Sequence, residues 1–127
     1  MAKLSSFTTA ANLVGALLPI LQGGTNKNLS ISSLFLTGSA TINFASVADN
    51  AVSATSNVSV TGAVAGDFVI GLSASGDIDT TNGISLHGAV TAADTVGVFL
   101  VNDSGAPFDA ASQTIRVLVI PKAVLGL

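Results

Sequence analysis

From Gly38 onward, apolar residues recur at every second position in short runs, the period of strands with one face toward a core. Residues 41–47 place Ile42 and Phe44 together, and after the turn Ala48-Asp49-Asn50, residues 52–61 place Val52, Ala54, Val58 and Val60 on one side. Residues 62–66 read as a small-residue turn, and 67–73 are expected to send Phe68, Ile70 and Leu72 inward. A polar loop over 75–83 precedes a strand carrying Ile84, Leu86 and Val90 in phase. The turn Thr91-Ala92-Ala93-Asp94 leads into 95–102, with Val96, Val98 and Leu100 on one side. A loop over 103–113 is followed by the last strand, 114–120, which stops at Pro121 because proline has no N–H to give a ladder. Six or seven such strands with turn chemistry between them predict an all-β fold, an antiparallel β-sandwich of jelly-roll or immunoglobulin-like kind. Alternation alone does not encode strand order.

The last strand departs from the pattern. Ile115, Val117 and Val119 take one face, yet Leu118 and Ile120 make the other apolar too. A strand apolar on both faces is covered on both. In so small a domain another subunit is the expected second cover, with Arg116, Leu118 and Ile120 as its oligomer interface.

The first 37 residues read differently, as an arm preceding a β domain over 38–127. A short helix is expected over 5–18, with Ser5, Ser6 or Thr8 as its N-cap and Pro19 disfavouring helix at Leu18. Gln22-Gly23-Gly24-Thr25-Asn26-Lys27-Asn28 reads as a turn or linker, and 28–36 as a strand or extended arm. Helix is expected nowhere else. The apolar run Leu17-Leu18-Pro19-Ile20-Leu21 either packs back on its own sandwich or docks on another protein.

Composition sharpens the picture. Of 127 residues, 49% are hydrophobic and only 9% charged, against roughly a quarter charged in an average soluble domain. A compact monomer of this mass exposes roughly 6,200 Å², so so few charges suggest that much surface is buried against copies or a larger assembly. The four cations, Lys3, Lys27, Arg116 and Lys122, are scattered, and Trp and Tyr are absent. Neither phosphate neutralisation nor base stacking is provided for, so no nucleic-acid partner is expected. With no cysteine, thiolate metal sites and disulfides are excluded. The longest apolar stretch, 13–21, falls well short of the roughly 18 residues a membrane helix needs, and no membrane partner is expected. Nor does a small-x-small cleavage site follow it, so no signal peptide is expected.

The candidate chemistry is sparse. His87, the single histidine, falls on the outward side of its strand, where a surface or interface role is expected over catalysis. The seven acidic residues are all aspartates, nearly all at turns, where Asp commonly caps backbone N–H groups. Asp77, Asp79 and Asn82 offer oxygen ligands at spacings a Ca²⁺ ion can use, but the later bidentate Glu of a calcium loop is missing. A plain turn is the expected reading, with no cofactor. The glycines form no phosphate cradle, and no enzyme activity is expected.

Two stretches resemble a known group. Leu17, Leu18, Pro19, Ile20, Leu21, Gln22, Gly23, Gly24, Thr25, Asn26 and Lys27 resemble the LLPxxQGGxxK segment near the N-termini of tailed-bacteriophage virion proteins such as fibres, spikes and head-decorating proteins. Residues 41–120 resemble a small β domain of phage structural proteins. The similarity lies in Val58-x-Val60-x-Gly62-Ala63-x-x-Gly66-Asp67-x-Val69, Val90-Thr91-Ala92-x-Asp94-Thr95-Val96-x-Val98, and Asn102 before Ile115-Arg116-Val117. The resemblance implies a virion component, usually a homotrimer, attached to the particle through 17–27. Fibres and spikes usually continue into long shafts, so the short chain better suits a decoration or cement protein on the capsid surface, partnered by the major capsid protein. The alternative is a short tail or fibre component that binds a host receptor.

Overall fold

A computed structural model describes residues 17–22, 25–30 and 34–127 of the chain. Two compact units follow one another, 1–34 and 35–127. In the first, β1 (Leu17–Gln22) pairs antiparallel with β2 (Thr25–Ser30) in a register that sets Pro19 opposite Asn28 and Gln22 opposite Thr25. The helix expected to run to Leu18 therefore gives way to strand by Leu17, and the remainder of that expectation lies outside the described residues. Proline's fixed φ is compatible with an extended edge position, which is how Pro19 fits. Likewise Thr25 to Asn28 belong to a strand rather than a linker.

The second unit is nearly all β, with antiparallel sheets. Its strands are β3 (Leu36–Ile42), β4 (Ala51–Val52), β5 (Ser56–Ser59), β6 (Phe68–Ser73), β7 (Ile84–Ala92), β8 (Thr95–Asn102) and β9 (Gln113–Ile120). One sheet has the order β3-β9-β6. In the other, β8 is central: β7 lies along one side, while β4 and β5 share the other, pairing with opposite ends of β8. The last strand thus returns to lie between the first and fourth of the unit.

Both central strands obey the alternation. Val96, Val98 and Leu100 of β8 and Ile115, Val117 and Val119 of β9 are buried and share one core with Ile42, Phe44, Val58 and Val60. β-Branched side chains suit this role because they pack well on a pleated surface. The sheets approach closely at their margins. A Cβ on Gly38 of β3 would overlap the Ser59 carbonyl of β5 and come within 2.7 Å of Val60 Cγ2, so only glycine fits there.

Four expectations need correction. Phe68 and Ile70 point outward, 42% and 50% exposed, because the β6–β9 register shifts between Val69 and Gly71. A bulge adds one residue and reverses the parity across it, so Val69 replaces Phe68 and Ile70 on the core side, while Leu72 faces the core as expected. The strand expected over 52–61 is two strands, and Val52 and Ala54 are exposed. The interruption is fixed at Ser53, whose N–H donates to the Leu100 carbonyl and whose Oγ accepts the Leu100 N–H. The first strand of the sandwich begins at Leu36, not Thr41, and ends at Ile42, although Phe44 is buried as expected; Val47, out of that phase, is buried where it bridges Phe108. Helix is not confined to the arm: Asp77–Thr80 forms one α-helical turn, which buries Ile78, and Lys122–Leu125 forms a 3₁₀ turn.

Candidate functional site

The acidic residues of the sandwich unit are segregated from its faces. At the proximal end, where β3 begins and β9 finishes, the 61–67 turn meets the Ala93-Asp94 turn. Asp94 adopts left-handed backbone (φ 57°), its Oδ1 accepts the Gly62 N–H at 2.6 Å, and its N–H donates to the Ala63 carbonyl at 2.8 Å. Beside it, Asp67 accepts the Lys122 N–H through Oδ1 and the Val64 N–H through Oδ2, each at 2.9 Å. The backbone hydrogen bond from Lys122 and then that from Val64 hold the Asp67 carboxyl below its ordinary range, against a small opposing effect of burial; the Lys122 charge adds to them.

The distal end carries Asp49, Asp77, Asp79, Asp103 and Asp109. Two of them serve the backbone: Asp49 Oδ1 accepts the Gly105 N–H at 2.8 Å, and Asp79 Oδ2 accepts the Ala74 N–H at 2.9 Å. The capping role expected of turn aspartates thus holds for Asp49, Asp67, Asp79 and Asp94. Two buried amides also sit here. Asn102 Nδ2 donates to the Val47 and Ala106 carbonyls, and its Oδ1 accepts from the Ser104 N–H and Oγ, so the side chain is fully satisfied. Gln113, 4% exposed, has neither amide atom partnered among the described residues.

The metal reading of Asp77, Asp79 and Asn82 finds little support. Asp79 is engaged by the backbone, and among the described residues no group of three or more His, Cys, Asp or Glu side chains is placed to hold an ion.

The outer face of the three-stranded sheet is built differently. Arg116, Leu118 and Ile120 point outward from its central strand, Arg116 exposed and the other two half-buried. Phe68 is opposite Ile120, and Ile70 bulges out beside them. Thr37, Ser39, Gly71 and Ser73 flank Arg116 and Leu118, and with them line a depression of about 610 Å³. Small side chains on both neighbouring strands open this depression around one guanidinium. Arg116, Leu118 and Ile120 therefore share one outer face, in the phase that alternation gave them. Phe68 and Ile70 extend that face but were expected inside, because a bulge leaves no mark in the alternation.

On the outer face of the other sheet, His87 stacks on Phe99 with centroids 5.5 Å apart and planes 14° from parallel, and Ser85 Oγ lies 3.0 Å from His87 Nε2. Their outward neighbours across the ladder, Ala89, Gly97 and Val101, supply no carboxylate to orient the ring. Of the residues expected to form an attachment segment, Leu17, Leu18, Pro19, Ile20, Leu21, Gln22 and Lys27 lie in the paired strands β1 and β2, while Gly23 and Gly24 fall outside the described residues.

No protein-family model matches this chain, and no curated protein matches it.

Proposed function

We propose that this chain is a non-enzymatic structural component of a tailed-bacteriophage virion, a decoration or cement protein on the capsid surface. In this reading it assembles as a homotrimer through the outer face of the three-stranded sheet, and residues 17–27 fasten it to the major capsid protein. The observation that carries the self-association is the outer face itself. Exposed Phe68 and Ile70 lie with Leu118 and Ile120 around a single charged group, while every acidic residue of the sandwich unit lies off the faces. A contiguous apolar face rimmed by polar residues marks a surface that is covered in use. The resemblance of 17–27 to phage attachment segments carries the assignment to a virion.

The mechanism is burial. Apolar area contributes roughly 25 cal/mol for each Å² removed from water, so bridging neighbouring shell subunits accumulates stability without specific chemistry. With so few ion pairs available, attachment depends only weakly on salt. Copy number in purified particles tests the reading, by quantitative mass spectrometry against the major shell protein. A ratio comparable to the shell protein is expected. A few copies per particle would move the chain to the tail or a vertex, and absence from particles would overturn the function.

A further inference from the structure

The position of Arg116 constrains how copies meet. Its ladder neighbours are Ser39 on β3 and Ser73 on β6, so a guanidinium and two hydroxyls stand in one row across the sheet, inside the depression. Directly opposed side chains on a sheet lie about 5 Å apart at Cβ, close enough to serve a single ligand. A guanidinium offers five N–H donors in a fork that matches a carboxylate, and each hydroxyl adds another donor. The row is an acceptor-seeking site in an otherwise apolar face. Pairing this face with itself about a two-fold axis would bring two Arg116 side chains into one interface with no anion between them, leaving like charges to repel.

The same unit carries the complementary group. Asp49 and Asp79 at the distal end are held by backbone N–H groups, but the carboxylates of Asp77, Asp103 and Asp109 accept no hydrogen bond among the described residues. All three are exposed.

We infer that the Ser39–Arg116–Ser73 row is a carboxylate-binding site occupied by the acidic distal end of a second copy. The contact is head-to-tail, joining two different surfaces of neighbouring copies, and such contacts close into rings when the rotation per step allows. This deepens the proposed trimer, on which it rests, by naming the contact that forms it.

Sedimentation velocity on the full chain tests the contact with three variants. Arg116→Glu removes the fork, and the triple variant Asp77→Asn, Asp103→Asn, Asp109→Asn removes the untethered carboxylates while sparing Asp49 and Asp79. Each is expected to weaken self-association by about tenfold or more. Their combination should weaken it no further than the stronger of the two alone, since both remove one contact. Circular dichroism melting confirms that each variant is folded; all four positions are exposed, so their stability should match the wild type. An assembled Arg116→Glu protein with wild-type affinity would overturn the contact and leave the trimer standing. Dissociation by Arg116→Glu but not by the triple variant would mean that the carboxylate comes from another source, and would overturn the second copy as occupant. A monomeric wild type would overturn the trimer itself, and the contact with it.

Discussion

The faces of the sandwich and its ends use polar groups in opposite ways. At the ends, carboxylates and amides close turns: Asp94 clamps the 61–67 turn, Asp67 ties that turn to Lys122, and Asn102 gathers Val47, Ser104 and Ala106. On the three-stranded face the polar groups are hydroxyls and one guanidinium, and none of them holds a turn. The tethered groups at the ends therefore act on folding, while in the proposed assembly the three-stranded face and the untethered distal carboxylates act on association. The difference teaches that scarcity of charge here is a matter of placement. The aspartates are kept off the faces, and Arg116 is the one charge on the three-stranded face.

Substitutions that move assembly and stability separately can break that comparison. The largest effect is expected from a charge on the apolar face. Leu118→Asp should weaken self-association by about a hundredfold, since an unpaired charge in a buried contact costs several kcal/mol. Ala89→Asp, on the outer face of the other sheet, should leave it unchanged; equal losses from both, read by sedimentation, would erase the distinction between the faces.

Asn102→Ala should lower unfolding free energy by about 2–3 kcal/mol in urea titration, because two carbonyls and the Ser104 donors lose their partner in a buried place. Its assembly at low denaturant should be unaffected. Gln113→Leu works in the other direction. Removing an amide that has no partner among the described residues should raise stability by about 1 kcal/mol, visible as a higher melting temperature.

The smallest effect concerns acid. The Asp67 carboxyl is held below its ordinary value in the folded chain, so its contribution is fully present above the unfolded carboxylate range and is lost as pH falls through the lowered value. Asp67→Asn should therefore flatten the decline in stability below about pH 4 and leave the affinity between copies untouched. A steeper acid decline in the variant would contradict the sign of this linkage.

Much of the fold was legible in the sequence because β8 and β9 each bury one face without interruption. Val96 to Leu100 and Ile115 to Val119 carry the period of two into the structure unchanged. The phase of those same strands places Asn102 and Gln113 inward, and parity read before polarity finds both. The bulge in β6 was not legible, since one extra residue reverses the facing of Phe68 and Ile70 without altering composition. The break between β4 and β5 depends on Ser53 reaching Leu100, a contact 47 residues away that local pattern does not contain. For the candidate site, the outward phase of Arg116, Leu118 and Ile120 could be read directly. Its serine flanks could not, because Ser39 and Ser73 meet Arg116 only through the register of three strands distant in sequence.

The absence of cysteine allows the central claim to be tested with a single introduced thiol. Ile70→Cys places one on the three-stranded face, and Ala89→Cys places one on the outer face of the other sheet. Labelling rates would be measured on the full chain at assembling concentration and again after dilution. The account predicts that the Ile70→Cys thiol is protected in the concentrated sample and becomes reactive on dilution, while the Ala89→Cys thiol reacts at the same rate in both. Equal and undiminished reactivity of the two thiols at assembling concentration would contradict it.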